Sequence, residues 1–485
     1  MRVKLILPAL AEATSPHYRP IKYSLFPPLG LATLAAHLDE CDEVELCDEH
    51  VAPVTDGDTP DLVAIEVYVT NARRAYELAA SYRVKGAHVC LGGLHATACP
   101  EEAALHADTV FLGPGDDTWP QFLHDFRAGR PRATYRSTHR CLHGSPAPRR
   151  DLIDRHRYLV PNSIVVSRGC PHSCHFCYKE SFFDGGRSFY TRRLDEALDE
   201  IDSLPGRHLF FLDDHLFGDN VFARGLLEGM RGMGRVWQAA GTVESVLRPG
   251  LMQAAAHSGL RSLFVGFETL TQAGLETCGK RQNKLSEYER AVAHLHEQGI
   301  MVNASFVFGI DGDDPDVFDR TTEWAVAQGI ETATFHILTP YPGTALHRRF
   351  TSEGRMLTTD WDRYDTRHVV FEPRGMSAGE LERGYWRAYR DFYSWRSIAH
   401  GTLARETPLE RIRHLAYQVG WKKAEPVWDA LIRARRLRMA VPLLEGMLGR
   451  PASAHSSASR PNHLRPHAMW KVGPNPRVNT DKPGL

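Results

Sequence analysis

The sequence predicts an α/β protein with two parallel-sheet units followed by a helical segment. Strand-like runs alternate with helical patterns in the first third of the chain and again from residue 163 onward, the order that parallel sheets require. Beyond the second series, apolar and aromatic residues recur at helical spacing between Leu381 and Ile398. A chain of 485 residues has room for two or three domains of this kind.

The first unit, residues 1–135, is predicted to be a doubly wound, Rossmann-like sheet. Its predicted strands are Val3–Pro8, Glu43–Cys47, Leu62–Tyr68, His88–Leu91 and Thr109–Leu112. Ligands of such sheets bind beyond the carboxyl ends of the strands. Two of those ends carry glycines, at 92–93 and 113–115, where missing side chains let a ligand approach the backbone. Glycine turns also serve packing alone, and both interpretations stay open here.

The second unit, residues 161–375, is predicted to be a partial (βα)6 barrel. Its predicted strands are Ile164–Ser167, His208–Asp213, Val236–Thr242, Leu263–Glu268, Val302–Gly309 and Thr332–Thr339. The apolar face of residues 194–204 predicts a crossover helix after the first strand. Ser286 with Glu289 three residues on has the pattern of a capping box, which predicts the start of another helix.

The remaining segments differ in composition. Residues 136–160 are rich in Arg, Pro, His and Ser and are predicted to link the two units. Residues 376–448 are predicted to form a C-terminal helical segment, whose aromatic stripe is typical of core packing. The tail, residues 449–485, is rich in Pro, Ser, His and Asn and is predicted to be disordered.

The overall composition is that of a globular protein. With 42% hydrophobic residues and a net charge of −1, the chain offers no bulk electrostatic case for binding nucleic acid. We find no apolar run long enough for a transmembrane segment. The nine cysteines are scattered, and the first residues have no pattern of a cleaved secretion signal. We therefore expect reduced thiols and a cytoplasmic location.

Cys170, Cys174 and Cys177 form a CxxxCxxC triplet. A four-iron cluster normally takes four cysteine ligands, so three thiolates would leave one iron open to a substrate or cofactor. A zinc site completed by His172 or His175 is one alternative, although such sites usually draw ligands from a second, distant segment. A disulfide is the other alternative.

The triplet, with the aromatic Phe176 before its last cysteine, resembles the signature of radical S-adenosylmethionine (SAM) enzymes. The resemblance implies a [4Fe–4S] cluster whose open iron binds SAM, with Phe176 beside it, and reductive cleavage of SAM to a 5'-deoxyadenosyl radical. It also implies a partial barrel in which the cysteine loop follows the first strand. The triplet comes directly after the first predicted strand.

Four side chains at predicted strand ends are candidates for binding SAM, because ligands of parallel βα barrels sit at the carboxyl ends of the strands. By the resemblance, Asp213 and Asp214 lie where the SAM amino group binds, and Glu268 accepts from the ribose hydroxyls. Ser305 is expected to flank the adenine, and Asn303, on the same face of the strand, is a fifth candidate. A helix N-cap is the structural alternative for the aspartates, and a barrel-mouth salt bridge is the alternative for Glu268.

The glycine-bearing loops of the first unit, joined to such a barrel, resemble the cobalamin-binding domain of class B radical SAM methyltransferases and their relatives. The likeness runs from residue 1 to about residue 400. By this resemblance the cofactor-binding residues are Pro28, Gly30, Thr70, Gly92, Gly93, His95, Gly113 and Gly115. A domain that has lost cobalamin is the alternative.

One motif departs from other cobalamin proteins. Those that give a histidine to cobalt carry DxHxxG after the first strand, where residues 9–16 here read AlaLeuAlaGluAlaThrSerPro. The triplet at residues 48–50, Asp-Glu-His, follows the second strand and lacks the glycine. We therefore predict that it lies on the surface and that no protein histidine binds cobalt.

The resemblance implies a methyltransferase that acts on an unactivated carbon in specialised metabolism. One SAM would methylate cobalamin and a second would yield the radical that activates the substrate, to which methylcobalamin then gives its methyl group. Cyclisation or oxidative rearrangement with the same cofactors is the alternative. The expected partners are a small-molecule or peptide substrate and a reducing protein such as flavodoxin or ferredoxin. The sequence singles out no catalytic base.

Overall fold

The computed structural model describes residues 1–13, 25–184, 187–403, 405, 407–434 and 436–448. The tail at 449–485, predicted to be disordered, lies outside the described residues. The α/β fold predicted from the sequence, with two parallel sheets and a helical C-terminal segment, is confirmed.

The first sheet has six parallel strands in the order β2-β1-β3-β4-β5-β6. The strands are β1 (Arg2–Leu7), β2 (Glu43–Asp48), β3 (Leu62–Glu66), β4 (His88–Gly92), β5 (Thr109–Leu112) and β6 (Thr134–Arg136). The helices are α1 (Leu29–Ala35), α2 (Ala72–Val84), α3 (Leu94–Ala98), α4 (Pro100–Ala104) and α5 (Thr118–Arg127). Apolar clusters cover both faces of the sheet, which explains why its central strands are almost continuously apolar.

The sequence did not predict β6, which crosses the boundary assumed at residue 135. This edge strand has only three residues, and only Tyr135 is buried, between two exposed neighbours. Three residues of this kind give no measurable alternation of polar and apolar side chains, so only the pairing with β5 identifies the strand.

The second sheet is an open barrel of six parallel strands in the order β14-β13-β12-β11-β10-β7, and a separate antiparallel pair, β8 and β9, stands beside it. The strands are β7 (Ser163–Ile164), β8 (Ser167–Gly169), β9 (Phe189–Thr191), β10 (His208–Phe211), β11 (Val236–Gly241), β12 (Leu260–Glu268), β13 (Met301–Phe308) and β14 (Thr332–Ile337). The helices are α6 (Lys179–Phe182), α7 (Leu194–Ser203), α8 (Asn220–Gly229), α9 (Val243–Val246), α10 (Leu251–Ser258), α11 (Gln272–Thr277), α12 (Tyr288–Glu297), α13 (Val317–Ala327) and α14 (Ala345–Ser352).

Two local predictions for this barrel are corrected. The first strand is shorter than predicted because the backbone N–H groups of Val166 and Ser167 bond to Asp213, and the chain then enters the β8–β9 hairpin. The cysteine loop therefore follows β8, not the barrel strand itself. The capping box predicted at Ser286 is wrong: α12 begins after a 3-10 turn, and its N-cap, Glu287, makes no side-chain cap.

In the described residues of the C-terminal segment the α-helices are α15 (Ala378–Phe392), α16 (Trp395–Leu403), α17 (Pro408–Gln418), α18 (Glu425–Arg433) and α19 (Val441–Leu448). Two tyrosines of the predicted aromatic stripe cap the free edge of β14. The Tyr389 hydroxyl accepts from Phe335 N at 3.2 Å and can donate to its carbonyl at 3.3 Å. The Tyr393 hydroxyl bonds the N–H and C=O of Ala333 in the same way, at 3.1 and 3.0 Å. Backbone groups that have no partner strand are thereby satisfied.

Among the described residues, no helix combines the length and the apolar character needed to cross a membrane.

Candidate active site

The cysteine loop is fixed by backbone hydrogen bonds along its length. Cys170 N donates to the carbonyl of Ser188 at 2.9 Å, and His175 N donates to that of Cys278 at 2.9 Å. Lys179 Nζ is buried and donates to the carbonyls of Cys170 at 2.9 Å and His172 at 2.6 Å. The loop conformation therefore depends on bonds to the chain around it.

The sulfur positions fit a multi-iron cluster better than a single ion. The three sulfur atoms of the triplet do not all lie within 4.8 Å of one another. Sulfur atoms bound to a single zinc ion would be about 4 Å apart. Cys174 and Cys177 border a cavity of about 600 Å³. His175 Nδ1 is already bonded to the Thr277 carbonyl at 3.1 Å. All nine cysteines are free, which excludes the disulfide alternative.

Asp213 and Asp214 follow β10 and fix the backbone that leads into the cysteine loop. Asp213 accepts from Val166 N at 3.1 Å and from Ser167 Oγ at 2.6 Å, and it is almost fully buried. Asp214 accepts from Gly169 N at 2.9 Å and from the Tyr178 hydroxyl. Neither aspartate caps a helix; the N-cap of α8 is Asp219. Their predicted contact with SAM stays a prediction.

Burial raises the pKa of Asp213 to about 7 from 3.8, although its hydrogen-bond donors favour the charged form. Because the folded-state pKa is the higher one, its contribution to stability is complete below about pH 4 and is lost as the pH rises through about 7. We expect Asp213→Asn, which keeps an acceptor oxygen, to weaken the fall in unfolding free energy over this range. Denaturant unfolding of the cofactor-free protein at several pH values measures this pH dependence of the unfolding free energy.

Two matched variants complete this test. Asp213→Ala removes both the acceptor and the titrating group, so it should lose about 1–3 kcal/mol at low pH, where the carboxyl group is neutral, and should show the same weakened pH dependence as Asp213→Asn. Asp199→Asn, at an exposed carboxylate on α7, should leave the pH dependence unchanged. An Asp213→Asn protein with the wild-type pH dependence would contradict the assignment.

The other predicted SAM residues lie at or near the barrel mouth. Glu268 ends β12 with a left-handed backbone, φ +68°, next to a break in the strand register. Its carboxylate pairs with the buried Lys280 ammonium, so the salt bridge considered as the alternative is present. Ser305 is buried on β13, and Phe176 packs, partly buried, against the barrel core. A role of these residues in binding SAM stays a prediction.

Five of the predicted cofactor-binding residues line one cleft at the carboxyl ends of β3, β4 and β5. These are Gly30, Gly92, Gly93, Gly113 and Gly115. A Cβ atom on Gly93, where φ is +106°, would lie 2.9 Å from the Val67 carbonyl oxygen, and a Cβ atom on Gly92 would lie 3.3 Å from Cβ of Phe111. Gly92 and Gly93 are therefore needed for the close packing of the strand ends that form the cleft, and the predicted role of the five glycines in binding cobalamin stays a prediction.

The other three predicted residues do not line this cleft. Pro28 immediately precedes α1, and Thr70 borders a different cavity, between the two sheets. The His95 side chain is fully buried; its ring bonds Glu102 at 3.1 Å and meets the Trp361 ring edge-on. The imidazole is thus part of a buried contact with Glu102 and Trp361, and its predicted role in binding cobalamin stays a prediction.

The Asp-Glu-His triplet predicted to lie on the surface is in fact partly buried, and that prediction is wrong. Asp48 and His50 are 6% and 8% exposed. The Asp48 carboxylate bonds His50 Nδ1 at 2.8 Å and accepts from the Tyr158 hydroxyl at 2.9 Å. His50 Nε2 accepts from Leu10 N at 3.1 Å. Both ring nitrogens have partners, which supports the prediction that no histidine of this motif binds cobalt.

Sequence patterns missed several residues of the cleft. Glu66 lines it, receives a hydrogen bond from the Tyr68 hydroxyl at 3.0 Å, and has its pKa raised by burial. Arg168 and Phe182 also line it, although both belong to the segments that flank the cysteine loop. The only signal for Arg168 was its position two residues before Cys170.

A third cavity of about 380 Å³ lies between the two sheets. It is lined by loop residues of the first sheet, by α6, and by the loops after β14, including Tyr68, Thr70, Tyr178, Ser181, Tyr341, Tyr364 and Thr366. Tyr178 is adjacent to Cys177, so the cavity begins beside the cysteine loop. Three tyrosine hydroxyls bond to groups of the chain: those of Tyr68 to Glu66, Tyr178 to Asp214 and Tyr364 to the Thr358 carbonyl.

Comparisons with known proteins agree with this architecture. The Radical SAM superfamily model matches residues 164–325, and the B12 binding domain model matches residues 23–123. Bacteriochlorophyllide d C-12(1)-methyltransferase of Chlorobaculum tepidum is 29% identical over 76% of this chain and 83% of its own length. The C-8(2)-methyltransferase of the same organism is 26% identical, over 81% and 92%.

Among solved structures, the radical SAM methyltransferase TsrM from Kitasatospora setae, with cobalamin and a [4Fe-4S] cluster bound, has a TM-score of 0.62. It is 15% identical and covers 90% of this chain and 99% of its own, and this likeness shows the fold.

A B12-binding domain placed before a radical SAM domain defines the class of this protein, an enzyme that uses cobalamin and SAM together. The chain belongs to the cobalamin-dependent radical SAM enzymes. Its cofactors are a [4Fe–4S] cluster, SAM and cobalamin, which agrees with the free thiols of the cysteine loop and with the glycine cleft.

Proposed function

We propose that the chain is a methyltransferase that transfers a methyl group to an unactivated carbon. The observation that supports this most is its similarity to two C-methyltransferases over three quarters or more of the chain. When bound, the cluster and SAM supply the radical that activates the substrate, and cobalamin supplies the methyl group. The chain itself must hold these groups and the substrate carbon within reach of one another.

The described residues are arranged for that task. Cys170, Cys174 and Cys177 hold the cluster, and Asp213 and Asp214 fix the backbone just before the triplet. The glycine cleft, whose lining includes Arg168 and Phe182 from the segments that flank the cysteine loop, would hold cobalamin. Tyrosine side chains on the cavity wall limit access of water to a reactive intermediate.

The same cavity supports a proposal for the class of substrate. Because three tyrosine hydroxyls are bonded to groups of the chain, these residues offer the cavity mainly aromatic surface. We propose a small molecule with a large apolar or aromatic scaffold. The chlorophyll-type substrates named for the two methyltransferases are large ring systems, in agreement with this proposal.

A reducing partner is part of the proposal, because cleavage of SAM consumes an electron. We propose flavodoxin or ferredoxin, acting in the cytoplasm. The free state of all nine cysteines supports a reducing environment. The cavity bordered by Cys174 and Cys177 supports electron delivery close to the cluster.

The test begins with steps that need no substrate. Protein reconstituted with iron, sulfide and cobalamin is incubated anaerobically with a reductant and SAM that carries a deuterated methyl group. We expect labelled methylcobalamin and 5'-deoxyadenosine by mass spectrometry. Absence of the labelled cobalamin would refute methyl transfer, while 5'-deoxyadenosine alone would retain the radical step.

Bacteriochlorophyllide d is then the first acceptor to try, since it is the substrate named for the similar enzymes. Methylation adds one deuterated methyl group to the product. Cyclisation, the alternative, adds no carbon, so the product mass separates the two reactions.

A further inference from the structure

Arg168 connects the cysteine loop to the cobalamin cleft. It lies on β8, two residues before Cys170, and its side chain reaches the loop that follows β5. Its Nε is 3.0 Å from Asp116 Oδ2, and its Nη2 donates to Asp116 Oδ1 at 3.1 Å. The contact is one charge-assisted hydrogen bond from Nη2, with Nε close to the second carboxylate oxygen but not bonded to it, and it fixes the distance between the two segments.

The contact between Arg168 and Asp116 differs from a surface ion pair because its carboxylate is buried. The Asp116 side chain is 7% exposed, and that of Arg168 is 29% exposed. The hydroxyl of Tyr190, on the partner strand β9, donates to the same carboxylate at 3.3 Å. Both strands of the hairpin that precedes and follows the cysteine loop are thus tied to one residue of the cleft.

A second set of contacts joins the first unit to the segment that follows the cysteine loop. Arg140 donates to the carbonyls of Phe183, Asp184 and Arg187, just beyond α6. Phe182 is a wall of the cleft, and its carbonyl lies 3.1 Å from where a Cβ atom on Gly113 would be. The loop from Gly113 to Asp116 therefore contacts segments on both sides of the cysteine triplet.

We infer that Arg168 is a positioning residue that couples the two cofactor sites, so that cobalamin and the iron–sulfur cluster each strengthen the binding of the other. Cobalamin bound in the cleft would order the loop after β5, and Asp116 in that loop would in turn hold Arg168 and β8 in place. The cluster would order β8 through the cysteine loop that follows it. Such coupling is reciprocal, with the same factor in both directions. The inference rests on the cofactor sites and is independent of the proposed methyl transfer.

The experiment compares the affinity for hydroxocobalamin with and without the cluster. Absorption titrations give the dissociation constant for the reconstituted protein and for the protein without iron. In the wild type we expect the cluster to tighten cobalamin binding at least about fivefold, the lower end of usual coupling. In Arg168→Gln we expect the ratio of the two dissociation constants to fall to about one.

Arg136→Gln is the matched control. Arg136 and Asp184 join the same two regions by an exposed pair at 3.7 Å, which contributes little. This variant should keep the wild-type ratio. Asp116→Asn should behave like Arg168→Gln, and the double variant should be no worse than either single one, because both remove the same link.

The rate at which a chelator removes iron from the oxidised cluster gives a second measurement, in the reciprocal direction. Hydroxocobalamin should slow the loss of iron from the wild type and not from Arg168→Gln. Arg168→Lys, which keeps a charge but not the planar guanidinium group, provides a variant with less risk of misfolding and should show an intermediate ratio. A wild-type ratio of one, or a wild-type ratio retained in both Arg168→Gln and Asp116→Asn, would overturn the inference. If the Arg168–Asp116 pair were purely structural, its removal would lower thermal stability and leave the ratio of the two dissociation constants unchanged.

Discussion

Replacing Cys174 by alanine should reduce the iron content of the reconstituted protein from about four atoms to near zero and abolish formation of 5'-deoxyadenosine. Two thiolates and an open loop do not hold a four-iron cluster, and the sulfur of Cys174, which borders the cavity, has only a long contact of 3.6 Å with Gln282. Iron analysis, the iron–sulfur absorption spectrum and chromatography of the products measure the effect.

Cys278→Ala is the control for this result. Cys278 is buried, and its carbonyl accepts from His175 N, yet its thiol is not part of the triplet. This variant should keep its iron. If it lost iron to the same extent as Cys174→Ala, packing around the loop and not ligation would be the cause. A Cys174→Ala protein with a full cluster would refute the assignment outright.

The second large effect is expected from Gly93→Ala, which should lose at least tenfold in affinity for cobalamin. An alanine there must adopt φ near +106°, and its Cβ would lie 2.9 Å from the Val67 carbonyl oxygen and 3.1 Å from its nitrogen. Relief of this clash moves the start of α3 or the end of β3, and both border the cleft. The backbone strain alone costs about 1–3 kcal/mol. Absorption titration with hydroxocobalamin and denaturant unfolding measure the two effects.

Gly86→Ala separates strain from cleft geometry. Gly86 also has a positive φ, +85°, but a Cβ atom there would meet no atom within 4 Å. It should lose stability and keep its affinity for cobalamin. Equal losses of affinity in the two variants would mean that stability, and not the shape of the cleft, controls binding.

The sequence was most informative where the chemistry is local. The spacing of the cysteines lies within eight residues, and glycines at strand ends are required by backbone geometry that a side chain would block. The triplet and five glycines could therefore be predicted before any tertiary contact was known, and the structure places those glycines around one cleft.

Residues whose role depends on a distant partner could not be predicted. Arg168 is informative only once Asp116, 52 residues earlier, is known to lie beside it. For Glu268 a salt bridge was one of two possibilities, and only the structure identifies its partner, Lys280. The burial of Asp48 depends on Tyr158, which is 110 residues away. A charged residue at a strand end carries the same local signal whether it contacts water, another side chain or a cofactor.

The tyrosine hydroxyls on β14 have a consequence for how this barrel can assemble with other chains. A six-stranded open barrel presents a free edge, which is a template for an added strand from another protein. Here Tyr389 and Tyr393 occupy the backbone groups of Phe335 and Ala333 that such a strand would need. An extended peptide therefore has no free hydrogen-bonding ladder at these positions, and a partner that approaches this side must recognise side chains.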